Sequence, residues 1–232
     1  MSKLPIATLR DDYTRATLSE SEALEDPFAQ FDLWLAAAVS AGLKEPHAMS
    51  LATVDANGSP SARIVLLRGV EHEGSGGSGG FGGFGGFVFF TNYASVKGRD
   101  IADNPRVALL FFWKELERQV RIRGTASKVT REESEAYFHS RPRGSQLGAL
   151  ASPQSDVLAS RDWLDARVRD LTARYEGEPV PLPETWGGFR VVPDTFEFWQ
   201  GRASRLHDRL LYSREGSHDH AEGLWRRVRL AP

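Results

Sequence analysis

Hydrophobic periodicity divides the chain into a helical beginning and a strand-rich remainder. From Phe28 to Val39, apolar side chains recur at three- and four-residue steps, after Asp26-Pro27 and before Gly42. An aspartate followed by proline is typical of a helix start, and a glycine is typical of a helix end. Beyond Gly42 the period shortens to two, as in strands with one buried face. This pattern predicts strands over residues 48–55, 60–70, 87–92, 106–113, 118–129, 188–192, 195–200, 207–214 and 224–230.

Three further helices are predicted between these strands. Ser95 is suited to cap a short helix, and Thr130 with Glu133 forms a capping box for a helix through His139. Residues 161–175 have the pattern of an amphipathic helix. So many short strands with few helices favour a mainly β fold, an antiparallel barrel decorated with helices.

The domain organisation follows from the same pattern. Residues 1–25 are polar with scattered apolar positions, so we expect an N-terminal arm. Residues 26–232 contain no linker that would separate two cores, and we expect a single domain there.

Composition excludes several functional classes. The 232 residues include 29 basic and 31 acidic side chains, so there is no strong positive charge to hold nucleic acid. There is no cysteine, which excludes disulfides and thiolate metal sites. The first residues hold no apolar stretch of signal-peptide length, and we expect a cytoplasmic protein without membrane contact. Only five basic residues are lysine and 24 are arginine, which suits recognition of phosphate or equally reflects a genome-wide arginine bias.

Two local motifs carry little weight. Residues 74–86 match both a dinucleotide-binding and a nucleophile-elbow glycine pattern, but they join two strands and lack the strand–turn–helix context of both. We expect a mobile hairpin loop there. His218 and His220 could offer two imidazoles to a metal, but no third ligand is evident nearby, and we expect no metal site.

Charged residues in two strands are candidates for ligand binding. Arg63 and Arg68 lie in an otherwise apolar strand, where they need partners or water unless they extend into solvent at its ends. Gln119 shares a strand face with Arg121 and Arg123, and its amide can both donate to and accept from a heterocycle edge. A solvated strand face is the alternative for the two arginines.

The segment around Pro142 suggests a phosphate clamp. Tyr137, Arg141 and Ser145 are spaced by four residues, so they share one side if helical turns persist through the proline. Two hydroxyls and a guanidinium form a suitable set of donors for phosphate.

A third cluster follows Trp199. In an extended chain Arg205, His207 and Arg209 would point the same way, and the flanking arginines would favour a neutral imidazole. We interpret them as an anion-binding wall; surface charge on an edge strand is the alternative.

Ten strings at these positions resemble the pyridoxine (pyridoxamine) 5′-phosphate oxidases, a family of FMN-binding split barrels. The strings are RIVLLR (63–68), FFTN (89–92), NPRVALLF (104–111), LERQV (116–120), YFHSRPRGSQLGA (137–149), QS (154–155), WGGFRV (186–191), FWQG (198–201), RLHDR (205–209) and RLAP (229–232). The resemblance implies a homodimeric split β-barrel with FMN at the subunit interface.

The resemblance also implies roles for individual residues. FMN would be held by Arg63, Ile64, Val65, Leu66, Leu67, Arg68, Phe90, Thr91, Lys97, Gln119, Gln154, Ser155, Trp199 and Arg209. The substrate would be bound by Arg10, Tyr13, Arg68, Tyr137, Arg141, Ser145, Arg205, Leu206 and His207. Arg205 and His207 would be the catalytic residues over the pyridine ring, and the segment from Arg10 to Tyr13 would be a mobile lid.

The implied reaction is oxidation of pyridoxine or pyridoxamine 5′-phosphate to pyridoxal 5′-phosphate, with hydride passing to FMN and oxygen then giving hydrogen peroxide. Three departures from the family pattern stand out: Val96 replaces an arginine beside Lys97, Arg68 replaces a lysine, and residues 74–86 lengthen a hairpin. The alternatives are a flavin oxidase of another aromatic substrate, such as a phenazine precursor, and a non-catalytic binder of FMN or pyridoxal phosphate.

Overall fold

The computed structural model describes residues 12–72, 85–214 and 225–232. Within these ranges the helices are α1 (Pro27–Ser40), α2 (Val96–Asp103), α3 (Arg131–Ser140), α4 (Arg143–Ala151) and α5 (Arg161–Arg174). The strands are β1 (Ala48–Val54), β2 (Pro60–Leu66), β3 (Gly69–Glu71), β4 (Gly86–Asn92), β5 (Arg106–Trp113), β6 (Arg118–Lys128), β7 (Trp186–Gln200), β8 (Asp208–Arg214) and β9 (Trp225–Arg229).

These strands form one hydrogen-bonded sheet in the order β2-β1-β5-β6-β7-β4-β3, and β8 links β7 to β9. The pairs β1–β2, β3–β4, β4–β7, β7–β8 and β8–β9 are antiparallel. The expected mainly β, antiparallel character is therefore confirmed. No helix in the described ranges has the length and apolar character to span a membrane.

Three predicted elements differ from the observed ones. The strand expected over 60–70 is interrupted after Leu66, and Arg68 donates its backbone N–H to the Val88 carbonyl at 2.8 Å before β3 begins. The two strands expected around Pro193 are one continuous strand, β7. β7 pairs with β4 before Pro193 and with β8 after it, and Gly124 on β6 allows close backbone approach, because a Cβ there would collide with the Val192 carbonyl. Helix α4 was not predicted.

The described chain forms two compact units. The first comprises the described parts of Met1–His47, Leu110–Ile122 and Asp194–Pro232, and the second comprises those of Ala48–Leu109 and Arg123–Pro193. Strands β5, β6 and β7 each contribute residues to both. The single domain expected over residues 26–232 stays a prediction.

Helix α1 forms the core of the first unit together with strand aromatics. Asp26 caps the helix by accepting the Phe28 N–H at 2.9 Å, as the sequence predicted. The apolar side chains of Phe28, Phe31, Trp34 and Ala38 are buried, whereas Val39 is exposed. The ring centroids of Phe31 and Phe111 are 4.9 Å apart and those of Trp34 and Phe198 5.3 Å apart.

In the second unit, the hairpin β1–β2 pairs Leu51 with Arg63 across the two strands. Helix α3 begins with the predicted capping box, in which Thr130 accepts the Glu133 N–H and Glu133 accepts the Thr130 N–H. The end of α3, helix α4 and the start of β7 share a core made of Phe138, Leu147, Val180 and Trp186. This core positions the surface that carries Tyr137 and Arg141.

Candidate functional site

A cleft of about 540 Å³ opens in the second unit. Predicted site residues form most of its lining: Arg63, Ile64, Val65, Leu66, Arg68, Phe90, Thr91, Lys97, Tyr137, Arg141 and Gln154. The structure adds Asn92, Gly148, Ala149, Ser152 and Trp186. The volume falls within the range typical of sites for small ligands and cofactors.

The first cationic group of the cleft contains Arg63 and Lys97. Arg63 donates from Nη1 to Thr53 Oγ1 at 2.7 Å, and its Nη2 lies 3.7 Å from Asp100 Oδ2. Thr53 in turn donates to Asp100 at 2.6 Å. Burial and the nearby charge of Arg63 lower the pKa of Lys97, while Asp100 opposes them. Two cations thus share one buried carboxylate, which leaves positive charge for an anionic ligand.

The second cationic group contains Arg68 and Arg141. The Arg68 guanidinium lies 6.0 Å from the centre of the Tyr137 ring. Nη1 of Arg141 is buried and has no hydrogen-bond partner among the described residues. Burial lowers the pKa of Arg141, Tyr137 opposes this, and the like charge of Arg68 adds to it. A buried donor without a partner carries a cost unless a ligand satisfies it, so this group is suited to an anion.

Three aromatic rings form one wall of the cleft. Phe90 and Tyr137 stack with centroids 3.9 Å apart, and Trp186 lies 5.5 Å from Phe90 and nearly parallel to it. Gly188 keeps the wall close to β7, because a Cβ there would lie 2.8 Å from the Phe90 ring. The cleft therefore combines a flat apolar face with two cationic groups.

Three predicted residues of this unit do not line the cleft. Leu67 is buried, and Ser145 and Ser155 are exposed. The helical spacing expected between Arg141 and Ser145 does not hold, because α3 ends at Ser140 and Arg141 has extended backbone angles. Gln154, by contrast, accepts hydrogen bonds from the Thr91 hydroxyl at 3.1 Å and the Asn92 N–H at 3.3 Å.

The remaining described site residues belong to the first unit, where Tyr13, Trp199 and His207 form an aromatic group. The Trp199 and His207 centroids are 4.5 Å apart, and Tyr13 lies 5.7 Å from Trp199 and 5.8 Å from His207. His207 Nδ1 accepts the Arg202 N–H at 3.1 Å, and burial together with the charge of Arg205 lowers the His207 pKa. The lowered pKa agrees in direction with the expected neutral imidazole, but burial is the larger cause, and of the two flanking arginines only Arg205 contributes.

The expected alignment of Arg205, His207 and Arg209 is wrong. Residues Ala203–Arg205 form a 3-10 turn, Arg205 has a φ of 61°, and β8 starts only at Asp208. The alternation of an extended chain therefore does not apply at Arg205.

Arg209 has other surroundings than the expected anion-binding wall. Arg209 donates to Glu197 at 2.9 Å and to the Ala231 carbonyl at 2.8 Å. Glu197 also pairs with Arg121 at 3.0 Å, so this carboxylate lies between two arginines. Gln119 is half-buried on β6, and Leu206 is largely exposed.

Arg10, residues 74–84, His218 and His220 lie outside the described residues, so the predicted contacts of Arg10 and the predicted loop stay predictions. Among the described residues, no group of three or more acidic, histidine or cysteine side chains is placed to hold a metal.

Sequence reasoning missed Trp186 as a lining residue. It starts the string WGGFRV, but its aromatic ring gave no charge or spacing signal for ligand binding. The contacts that bring it into the cleft come from α3 and β4, which are distant in the chain.

Known proteins resemble the chain along nearly all its length. Residues 35–175 match the model of the pyridoxamine 5′-phosphate oxidase family, and residues 186–232 match that of the pyridoxine 5′-phosphate oxidase C-terminal dimerisation region. The pyridoxine/pyridoxamine 5′-phosphate oxidase of Rubrobacter xylanophilus is 55% identical over 98% of this chain and 96% of its own. The oxidase of the same name from Thermosynechococcus vestitus is 55% identical over 98% of this chain and 99% of its own.

A solved structure extends the comparison to the fold. PhzG from Burkholderia lata, in complex with tetrahydrophenazine-1-carboxylic acid, superposes with a TM-score of 0.80 at 29% identity, covering 91% of this chain and 95% of PhzG. The family match and this superposition confirm the predicted split-barrel class. With more than half of its length matched by the family model and relatives 55% identical over 98% of it, the chain belongs to the pyridoxamine 5′-phosphate oxidase family.

Proposed function

We propose that the protein oxidises pyridoxine 5′-phosphate or pyridoxamine 5′-phosphate to pyridoxal 5′-phosphate with FMN as its cofactor. One observation of the structure supports this above the others: Arg68 and Arg141 face the cleft beside an aromatic wall, with a buried Arg141 nitrogen that lacks a partner among the described residues. A phosphorylated aromatic ring has the charge and the flat shape that this surface would satisfy. The 55% identical relatives carry the name of this activity.

The residues present also fit FMN. FMN joins a flat ring to a phosphate, and the cleft offers a second cationic group, Arg63 with Lys97, apart from the one assigned to the substrate. The apolar side chains of Ile64, Val65 and Leu66 line the same cleft and suit a ring face. We assign Arg63 and Lys97 to the cofactor phosphate, and Thr91, Gln119 and Gln154 to polar atoms of the cofactor. Leu67, Phe90, Ser155, Trp199 and Arg209 stay proposed cofactor contacts.

When bound, FMN supplies the acceptor for the hydride that leaves the exocyclic carbon of the substrate. The protein's own contribution is positioning, since holding two reactants in register lowers the barrier without a nucleophile. We assign Arg68, Tyr137 and Arg141 to the substrate phosphate, and Ser145 as a further hydroxyl donor. Charge-assisted hydrogen bonds from these groups would fix the ring that carries the reacting carbon.

Arg205 and His207 are the proposed catalytic residues. Because His207 Nδ1 accepts the Arg202 N–H, the neutral imidazole carries its proton on Nε2, which can donate a hydrogen bond to the substrate. The Arg205 cation would orient the pyridine ring and stabilise negative charge on it. Tyr13, which contacts His207, Leu206 and Arg10 complete the substrate contacts that we propose.

Molecular oxygen is the proposed final electron acceptor, giving hydrogen peroxide. The match of residues 186–232 to a dimerisation region supports a homodimer, and light scattering that finds a single 25.7 kDa chain would contradict it. We also propose a cytoplasmic setting, consistent with the absence of cysteine. Recovery of the protein with a membrane fraction would contradict that setting.

The variant Arg205→Ala tests the catalytic assignment. We expect turnover of pyridoxamine 5′-phosphate to fall at least about 100-fold, as for loss of a group that acts in the transition state, while FMN occupancy changes little. Arg161→Ala is the control, because Arg161 is exposed on α5 and pairs only with Asp165 among the described residues. Equal losses of turnover and FMN occupancy would contradict the role assigned to Arg205.

A second candidate function is oxidation of a phenazine precursor, which the similarity to PhzG favours. The donors around Arg141 argue against it, because a phosphate offers them more acceptor oxygens and more negative charge than the single carboxylate of such a precursor. Turnover of pyridoxamine 5′-phosphate should greatly exceed turnover of tetrahydrophenazine-1-carboxylic acid. The reverse order would establish the second function.

A further inference from the structure

We infer that Trp186 is a positioning residue: its ring holds the Arg141 guanidinium in place for the substrate phosphate and so contributes to selectivity for phosphorylated substrates. This inference rests on the proposed function, which assigns Arg141 to that phosphate. None of the roles implied by the family resemblance includes Trp186.

The geometry places Arg141 directly on the tryptophan. The Arg141 guanidinium carbon lies 4.8 Å from the centre of the Trp186 ring, within the range of a cation–π contact. Its distance to the Phe138 ring is larger, at 5.9 Å. Among the described residues, Nη1 of the Arg141 side chain has no hydrogen-bond partner. The aromatic rings are therefore its main support.

Whether an arginine is held by carboxylates or by an aromatic ring determines how much of its positive charge is available to a ligand. Arg190, which is 3% exposed, is paired with Glu71 at 2.6 Å and Glu133 at 2.9 Å, so its charge is compensated within the protein. Arg141 has no carboxylate within ion-pair distance among the described residues. A ring face attracts the cation without neutralising it, so Arg141 is held in place while its charge stays available to phosphate.

Trp186 itself is well fixed. It is 6% exposed, stacks with Phe90, and donates its backbone N–H to the Pro183 carbonyl at 3.1 Å. Its own carbonyl accepts from Arg131 at 3.3 Å. The next residue, Gly187, leaves no room for a side chain, because a Cβ there would collide with the Tyr93 hydroxyl. A ring fixed by stacking and by its backbone hydrogen bonds can orient a flexible guanidinium with little loss of order.

The test compares two substrates in the variants Trp186→Leu and Trp186→Phe. For Trp186→Leu we expect KM for pyridoxamine 5′-phosphate to rise about 5- to 30-fold, the range of a partly desolvated cation–π contact, with kcat changed less than about threefold. KM for unphosphorylated pyridoxamine should stay within about twofold. Trp186→Phe keeps an aromatic ring, so it should give a smaller rise in KM. It should also retain the fold if Trp186→Leu does not.

The chain offers a matched control in Trp163. It lies on α5 outside the cleft, is 41% exposed, and has the Arg167 guanidinium 5.7 Å from its ring. Trp163→Leu removes a tryptophan–arginine contact of the same kind, and it should leave both KM values unchanged.

A double-mutant cycle with Arg141→Ala separates positioning from general damage. If Trp186 acts through Arg141, Trp186→Leu adds little to the loss that Arg141→Ala already causes. Fully additive losses, or equal increases in KM for both substrates, would overturn the inference.

Calorimetric binding of pyridoxal 5′-phosphate gives a readout that needs no turnover, and it should show the same non-additivity. If the wild-type protein binds this ligand but oxidises no phosphorylated vitamer, the proposed function is contradicted, and weaker binding by Trp186→Leu would still support the positioning role. Wild-type-like binding by folded Trp186→Phe and Trp186→Leu would contradict the positioning role alone.

Discussion

The arginines of this protein differ in what compensates their charge. Arg190 and Arg229 are each paired with two carboxylates, and Arg209 with one. Arg68 and Arg141 line a cleft with no carboxylate partner among the described residues. The abundance of arginine in the sequence did not distinguish these two classes, because compensation depends on residues from distant strands. Arg68 and Arg141 are therefore the arginines whose positive charge is available to a ligand in the cleft.

The pKa of His207 should respond to its neighbours in a defined order. Burial lowers this pKa most and the charge of Arg205 adds to the effect, so Arg205→Ala should raise the pKa but leave it below the ordinary value. Because the His207 pKa is lowered on folding, the unfolded chain binds more protons than the folded chain. The contribution of this group to the free energy of unfolding therefore decreases as pH falls below about 6.5. Titration of the imidazole by NMR measures the shift directly. A lower or unchanged pKa in the variant would contradict the electrostatic assignment.

Among the departures from the family pattern, Val96 has the clearest expected consequence for FMN binding. It is 41% exposed at the start of α2, next to Lys97. If Lys97 holds the FMN phosphate, Val96→Arg should add a charge-assisted contact of about 1.5–3 kcal/mol and tighten FMN binding about 10- to 100-fold. Fluorescence titration of the apoprotein with FMN measures the change, with Val39→Arg at an exposed position of α1 as the control. Unchanged affinity in Val96→Arg would argue against the assigned phosphate position.

Among the elements, those with local signals were predictable from the sequence. Helices α1 and α3 have caps formed by Asp26 and Thr130, and both begin where these residues predicted. Helix α4 and the continuous β7 were missed because each contains or follows a proline, and proline is a local signal for interruption. For β7, pairing with β4 before Pro193 and with β8 after it is a long-range contact that a local signal does not contain.

The start of α3 should be sensitive to Glu133. Burial opposes the ionised form of this carboxyl, but the Thr130 N–H and the charge of Arg190 outweigh it and lower the pKa. The ionised carboxylate therefore contributes stability above the ordinary pKa near 4.5, and this is lost as pH falls through the lowered value. Glu133→Gln should cost about 1–2 kcal/mol at neutral pH and flatten the acid side of a plot of Tm against pH.

Glu135→Gln is the matched control on the same helix. The Glu135 side chain is 60% exposed and lies 3.8 Å from His139, whereas that of Glu133 is 27% exposed. Exposed pairs contribute little, so this variant should change stability by less than about 0.5 kcal/mol. Similar losses in both variants would show that the pairing of Glu133 with Arg190 does not stabilise α3.

For the chain as a whole, the strings shared with the oxidase family were more informative than hydrophobic periodicity. Periodicity predicted an antiparallel, mainly β protein, while strings spread from residue 63 to residue 232 predicted the family, which the comparisons confirmed. The cleft brings eleven of the predicted site residues together within the second unit. Trp186 could not be assigned from sequence, since its role depends on where the Arg141 side chain lies.

We propose that this cleft positions a phosphorylated vitamin ring for hydride loss to FMN. The most direct measurement is anaerobic spectroscopy of the purified protein loaded with FMN and mixed with pyridoxamine 5′-phosphate. We expect the yellow flavin absorbance to bleach under these conditions and to return when oxygen is admitted. One pyridoxal 5′-phosphate should form per flavin reduced. Binding of the vitamer with no loss of flavin absorbance would contradict the account and identify a carrier instead of an oxidase.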